Sequence, residues 1–346
     1  MRFDRGFAYA LFPAWVPGSA ARPPNRELAR CRSLMRRDRG THAFRMASVA
    51  IAVLGCLLGA SPSHAQDIEP RQYANTPVGV NFFISGYAHT QGGLSFDPSL
   101  PISNPDLQTN SSVFGFARSL DFWGHSGKVD VIVPYTWLSG SAELSGVPVT
   151  RQVDGPADPR FRVSVNLYGA PSLTLKELPS YRQDLIVGAA LQVSAPWGQY
   201  DPARAVNIGS NRWFFKPSLG VSQAVGPWIL EATAAITVFT DNTDFFGGKT
   251  REQDALYAME THLIRSFARG IWGSLDATFF TGGQSTVNGV AQPDRQRNWR
   301  VGATLAIPLN ARNSLKLYAS NGVSSRTGND FDLLGVAWQY RFGGGI

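Results

Sequence analysis

The chain has 346 residues, 43% of them hydrophobic and only 16% charged, with a formal net charge of +7. That excess sits in the first 65 residues, which hold ten arginines against three acidic side chains, whereas the remainder carries 22 basic and 22 acidic groups and is neutral. The basic balance therefore argues for no nucleic-acid partner, and because both cysteines, Cys31 and Cys56, lie in the same leading stretch, the rest of the chain has no disulfide framework.

Arg36, Arg37, Arg39 and Arg45 precede an apolar run of fifteen residues, 46–60, that ends in Ser63-His64-Ala65. A charged n-region, a short h-region and a small-x-small site make a secretory signal peptide, and the run is too short to cross a bilayer as a helix. The expected organisation is an N-terminal extension over 1–34 that is disordered or lies upstream of a true start at Met35 or Met46, a signal peptide over 35–65, and an exported domain over 66–346. Val53-Leu54-Gly55-Cys56 loosely matches a lipoprotein box, but the apolar run continues past Cys56 to the second site.

Between Val78 and Phe342 the chain divides into twelve strand-like segments of about 10 to 14 residues, joined alternately by long and short connections. The first, 89–108, is long and contains Asp97-Pro98, Leu100-Pro101 and Asn104-Pro105; the next, 122–126, is short. Residues 139–157 are long, and 170–181, where a short link is due, has twelve residues whose 172–178 stretch reads as one or two helical turns at a rim. There follow 197–211 and the tight Gly226-Pro227, 240–253 and 268–270, 282–296 and 310–312, and a closing turn at 325–330. An up-and-down transmembrane barrel keeps its periplasmic turns short and lets its outer loops grow, a segregation that a soluble sandwich has no reason to show.

The segments alternate with period two, as strands with one face to lipid and one to a lumen must. Val129, Val131, Val133, Tyr135 and Trp137 oppose Lys128, Asp130 and Thr136; Phe161, Val163, Val165 and Leu167 oppose Arg160, Arg162, Ser164 and Asn166. Leu185, Val187, Ala189, Leu191 and Val193 oppose Asp184, Gln192 and Ser194, and Trp299, Val301, Ala303, Leu305 and Ile307 oppose Asn298, Arg300 and Thr304. In the first two segments Phe114 and Phe116 share a parity with Arg118, which leaves their inward face open. With the amino terminus in the periplasm, Trp137, Phe215, Tyr257, Phe279 and Trp299 fall near the outer rim and Trp228, Tyr340 and Phe342 near the inner one, the places for two interfacial aromatic belts. Trp338, Tyr340 and Phe342 also supply the aromatic last strand that barrel-assembly machinery reads, displaced here by Gly343-Gly344-Gly345-Ile346.

Several pieces resemble the outer-membrane proteins grouped as the MetA-pathway of phenol degradation family: residues 73–81 (YANTPVGVN), Ala157-Asp158-Pro159-Arg160, Gly198-Gln199-Tyr200-Asp201-Pro202, Asn211-Arg212-Trp213, Thr250-Arg251-Glu252-Gln253-Asp254 and residues 297–302 (RNWRVG). The resemblance covers nearly the whole exported domain. It implies an outer-membrane barrel connected with uptake of aromatic or other apolar compounds, and it supplies no binding residues.

Parity supplies the lumen instead. Lys128, Asp130, Arg160, Arg162, Asp184, Lys216, Glu231, Glu260, His262, Asp276, Arg300, Lys316 and Arg341 are expected on the inner wall, where mixed charges either orient polar solutes or pair into a rigid filling. An enzyme reading is weak: only His89, His125 and His262 remain after export, and no G-x-S-x-G elbow is present. Asp241-Asn242-Thr243-Asp244 lacks the spacing of a calcium hand, and Gly247-Gly248 and Gly282-Gly283 precede no helix, so no metal, phosphate or other cofactor is implied. The sequence thus reads as an all-β, twelve-stranded outer-membrane barrel of a Gram-negative cell. It passes a small hydrophobic or aromatic solute and has membrane lipid, that solute and the assembly machinery as partners. A structural or lipid-modifying barrel is the alternative.

Overall fold

The computed structural model describes residues 69–93, 102–324 and 330–345. The expected extension over 1–34, the signal peptide over 35–65, the Asp97-Pro98 and Leu100-Pro101 pairs and the turn at 325–329 lie outside them. In chain order the strands are β1 (Val80–Gly93), β2 (Ile102–Phe122), β3 (His125–Leu144), β4 (Val147–Pro156), β5 (Arg160–Tyr168) and β6 (Leu185–Ser194). Next come β7 (Phe214–Val225), β8 (Trp228–Phe239), β9 (Asn242–Phe245), β10 (Lys249–Gln253), β11 (Leu256–Ser266) and β12 (Trp272–Gly282). The last are β13 (Ser285–Val287), β14 (Val290–Ala291), β15 (Gln296–Pro308), β16 (Asn313–Ser324) and β17 (Asp330–Gly343).

All pairings are antiparallel, and β1 closes on β17 from Val80 opposite Gly343 to Gly93 opposite Asp330. The closed wall has twelve strands, β1-β2-β3-β5-β6-β7-β8-β11-β12-β15-β16-β17. The lower half of β3 pairs with β5, while its upper half pairs with β4, which is an outgrowth of the wall and not a member of it. Tight turns gather at one end. In the β2–β3 hairpin both central residues, Trp123 and Gly124, have positive φ of 55° and 86°, the mirror-image turn whose twist matches paired strands. Four stretches expected as loops carry strand: 89–108 is largely the upper parts of β1 and β2, 139–157 is the β3–β4 hairpin, and 240–253 with 282–296 builds a four-stranded sheet in the order β14-β13-β10-β9.

The two faces of the wall differ in the way a bilayer requires. Leu219, Leu275, Leu334, Val163 and Leu191 point outward and are 62%, 55%, 64%, 45% and 45% exposed, an apolar band that water would not tolerate on a monomer. At the outer rim Trp299 packs on Phe279 with centroids 4.9 Å apart, and at the inner rim Trp338, Tyr340 and Phe342 stack in series at 6.0 and 5.7 Å. The first two strands obey the same rule: Phe83, Tyr87, Phe114 and Phe116 are exposed outward, while Arg118, at the inner end of β2, is also exposed and donates to Asn81 Oδ1 at 3.4 Å. A cation there faces interface, not hydrocarbon.

The inner end of the lumen is filled by the stretch that precedes β1, a feature the sequence reading did not anticipate. Glu69 takes a two-pronged hydrogen bond from the Arg162 guanidinium, Arg71 N donates to Glu231 Oε2 at 2.7 Å, and Lys128 Nζ donates to the Gln72 carbonyl at 2.6 Å. Tyr73, 1% exposed, lies against Ala170 and Ile186, and a Cβ built at Gly188 or Gly220 would overlap its ring. Those two glycines sit on the lumen faces of β6 and β7, directly opposite each other in the ladder, so together they form a slot for one aromatic ring. The overlong connection at 170–181 serves the same segment: Val78 N donates to Leu173 O at 2.8 Å and Asn75 Nδ2 to Pro171 O at 3.1 Å. Its helical content is a single 3-10 turn at Leu178–Ser180, later than expected. Beside that turn, hydrogen bonds from the Thr174 backbone N–H and hydroxyl hold the Glu177 carboxyl below its usual range.

Two measurements test this architecture. Leu219→Arg, a charge set at mid-height on the lipid face of β7, is expected to cost about 2–4 kcal/mol in urea unfolding from lipid vesicles; no loss would place that face in water. Tyr73→Ala and Gly220→Leu should each loosen the inner segment, giving larger single-channel conductance in planar bilayers and faster tryptic cleavage after Arg71. Unchanged conductance in both would mean that the segment does not occlude the passage.

Candidate functional site

Strand register decides which inward side chains share a height, and it gathers most of the expected lumen residues into rows. Glu231, His262 and Asp276 stand opposite one another across β8, β11 and β12, and Thr233, Glu260, Thr278 and Arg300 form the next row outward across β8, β11, β12 and β15. All seven are at most 6% exposed. His262 Nδ1 lies 2.8 Å from Asp276 Oδ1, and Asp276 Oδ2 accepts from Ser274 Oγ at 3.1 Å and Thr304 Oγ1 at 3.4 Å. Glu231 accepts from Ser222 Oγ at 2.8 Å as well as from the Arg71 backbone, and Lys216 Nζ donates to Glu260 Oε1 at 2.8 Å. On the facing wall Arg162 bridges Asp130 at 2.9 Å and Glu69. Charge inside a closed sheet is tolerable when paired in this way.

Between these walls and the inner segment lies a small polar cavity of about 20 Å³, lined by Glu69, Gln72, Arg162, Gln192, Lys216, Ser218, Thr233 and Glu260 among others. That is room for one or two waters. Lys316 is half-buried with its ammonium 5.6 Å from the Tyr318 ring, and Arg160 is half-buried at the outer start of β5. Two expected lumen residues sit at the inner rim. Asp184 precedes β6, is exposed and accepts from Gln223 Nε2 at 2.7 Å; Arg341, opposite Phe82 in the β1–β17 ladder, reaches to the Ala311 carbonyl. Asp184 lies one residue before the ladder, where parity no longer sets direction, whereas Arg341 keeps its inward parity at the ladder's inner end.

Toward the outer end the lining changes character. Phe239, Phe280, Leu256, Ala258 and Ala235 form one inward apolar cluster, and Leu107, Leu138 and Phe331 form another, with Val153, Val206 and Leu333 packed on it. Guanidinium groups stand over the rings: Arg212 is 4.4 Å from the Phe239 centroid, Arg251 5.8 Å from that of Phe245 and Arg300 5.3 Å from that of Phe331. Arg212 Nη2 and Arg251 Nη2 both donate to Gln253 Oε1, at 2.5 and 3.3 Å. The sequence reading named Arg300 alone of these three for the lumen; Arg212 and Arg251 stand outside the alternating strands, where parity gives no signal.

The connection from β6 to β7 roofs this mouth. Its Val206 sits in the cluster of Leu107, Leu138 and Phe331 on wall strands β2, β3 and β17, and its Ala205 packs with Phe245 and Val287 of the four-stranded sheet. Asp158 clamps the two ends of the loop, accepting from Gly198 N at 2.8 Å, Ser210 N at 2.8 Å and Ser210 Oγ at 2.6 Å. Tyr200 and Asn242 tie it to the four-stranded cap at 2.9 Å. Ser274 donates to the carboxylate of Asp276 and not to His262, so its hydroxyl is directed at the acid instead of at a base.

An outer-membrane channel from Pseudomonas putida F1 is similar in structure, with a TM-score of 0.68 and 19% identity, over 80% of this chain and all of that one. The transport unit of the autotransporter AIDA-I from Escherichia coli aligns over 80% of this chain and 93% of its own at a TM-score of 0.46 and 8% identity. None of the curated proteins matches the chain by sequence. The model of the family described as "Putative MetA-pathway of phenol degradation" matches residues 88–342, from the first strand of the wall to the last, and the chain belongs to that family.

Proposed function

We propose that the protein is an outer-membrane channel that passes small hydrophobic or aromatic compounds, and that the family's connection with phenol degradation reflects that cargo. The observation that carries the reading is the graded lining of the lumen. A solute arriving from outside meets inward phenylalanine rings and aliphatic side chains first, then paired charges, then a separately seated inner segment. A barrel that served only as scaffold would need no such order, and Ser274 and Ser222 donate to the Asp276 and Glu231 carboxylates beside His262. The apolar outer band makes lipid the surrounding partner. The aromatic last strand fits recognition by barrel-assembly machinery, and the expected lumen residues other than Asp184 and Arg341 serve as its polar wall.

Purified protein in planar bilayers should conduct ions, and proteoliposomes should take up arbutin, an aromatic solute that lipid alone excludes, faster than protein-free vesicles. A barrel that migrates as folded in detergent gels yet is silent in both assays overturns the channel reading and leaves the structural one. Lipid hydrolysis that disappears in His262→Ala would overturn it in favour of the enzyme.

A further inference from the structure

The lumen faces of β12 and β15 carry two polar groups of an unusual kind beside the outer rings, Thr278 one inward position below Phe280 and Gln296 one above it. Thr278 is 1% exposed and Gln296 is 5% exposed, yet Thr278 Oγ1 and Gln296 Oε1 make no hydrogen bond within the described structure. A buried hydroxyl or amide oxygen left so forfeits free energy that folding alone does not restore, which is the usual mark of a place where something else binds. Thr278 stands directly across the ladder from Arg300, and Phe280, one inward position further out on β12, stands across from Asn298. The Arg300 guanidinium donates to Ser320 Oγ at 2.6 Å and lies over the Phe331 ring. One cation, a hydroxyl, an amide and two rings thus share a patch across the four neighbouring strands β12, β15, β16 and β17.

From this juxtaposition we propose that Arg300, Thr278 and Gln296, with the rings of Phe280 and Phe331, form a subsite of the channel for a small aromatic carboxylate. The inference rests on the channel reading and narrows its cargo from apolar compounds in general to ring acids. A planar guanidinium matches a carboxylate in shape and charge, the two rings offer edge or face contact to a third, and the Thr278 hydroxyl donates to the second carboxylate oxygen. Glu260 lies on the same row, one strand beyond Thr278, and repels a carboxylate, so the ligand binds with its acid group turned toward Arg300. A neutral aromatic alcohol would gain the ring contacts alone.

The test compares uptake into proteoliposomes of 4-hydroxybenzoate at pH 8 with that of 4-hydroxybenzamide, which has the same outline without the charge. Wild-type protein should favour the acid. Arg300→Gln should slow acid uptake by about tenfold and leave the amide unchanged, as expected when a charge-assisted bond is removed. Should Arg300→Gln fail to fold, Thr278→Val carries the test, because the lost hydroxyl has no hydrogen-bond partner among the described residues and the fold should tolerate its removal. Its acid uptake should fall about three- to tenfold. Equal uptake of acid and amide, unaltered in both variants, overturns the subsite while the channel stands. Failure of wild-type protein to pass arbutin, acid or amide overturns both.

Discussion

Closure of β1 on β17 is the constraint from which the rest of the molecule follows. In hydrocarbon no water is available for an unpaired N–H or C=O, so a sheet can cross only if its two edges pair with each other. The fourteen-residue ladder from Val80–Gly343 to Gly93–Asp330 does this. Once the ring is closed, each residue of a wall strand has one of two addresses, lipid or lumen, and a single insertion within the bilayer would exchange them for the rest of that strand. The clean alternation of β11, in which Leu256, Ala258, Glu260, His262 and Ile264 are buried and Tyr257, Met259, Thr261 and Leu263 are exposed, is the consequence.

Twelve strands enclose more space than wall side chains alone can fill. The protein meets this from both ends with segments that are not wall. At the inner end a Glu-Pro-Arg-Gln-Tyr stretch supplies charges and backbone groups that pair with Arg162, Lys128 and Glu231, and one ring that fits between Gly188 and Gly220. At the outer end the 195–213 connection supplies Val206 to an apolar cluster of the wall and Ala205 to one of the four-stranded sheet. The two closures differ in kind. The inner one is held largely by charge-assisted hydrogen bonds and is weakened by whatever competes for them, while the outer one is held largely by apolar contact.

This difference also explains what the sequence could and could not reveal. The wall was legible because lipid on one face and the lumen on the other impose period two on Val129 to Trp137 or Trp299 to Ile307. Outside the bilayer that pressure stops. The upper part of β3 and all of β4, with Ser139, Gly140, Ser141 and Glu143 among apolar neighbours, read as loop although they form a hairpin. Asp184 departs from its expected inward place for a related reason: it precedes Leu185, the first residue that the β6–β7 ladder controls. The inner segment has no periodicity at all, and its only trace in the sequence is a pair of glycines, Gly188 and Gly220, at inward positions where a barrel wall ordinarily carries a side chain. A glycine in mid-strand marks a close approach by something else, here the Tyr73 ring.

The order of the lining has a physical consequence for transit. A ring transferred from water to the outer phenylalanines gains by burial, but deeper in the lumen it faces Glu260, Lys216, Asp276 and Arg162, whose pairing leaves little for an apolar surface to gain. Here attraction to the rings falls where the polar wall begins, and an amphipathic solute, apolar at one end and polar at the other, is the kind that keeps favourable contacts on both sides of that boundary. The Arg300 row lies at the boundary itself, between Phe280 above and the Glu231, His262 and Asp276 row below. On the proposed channel reading, this row is met before the segment that seats Tyr73 between Gly188 and Gly220.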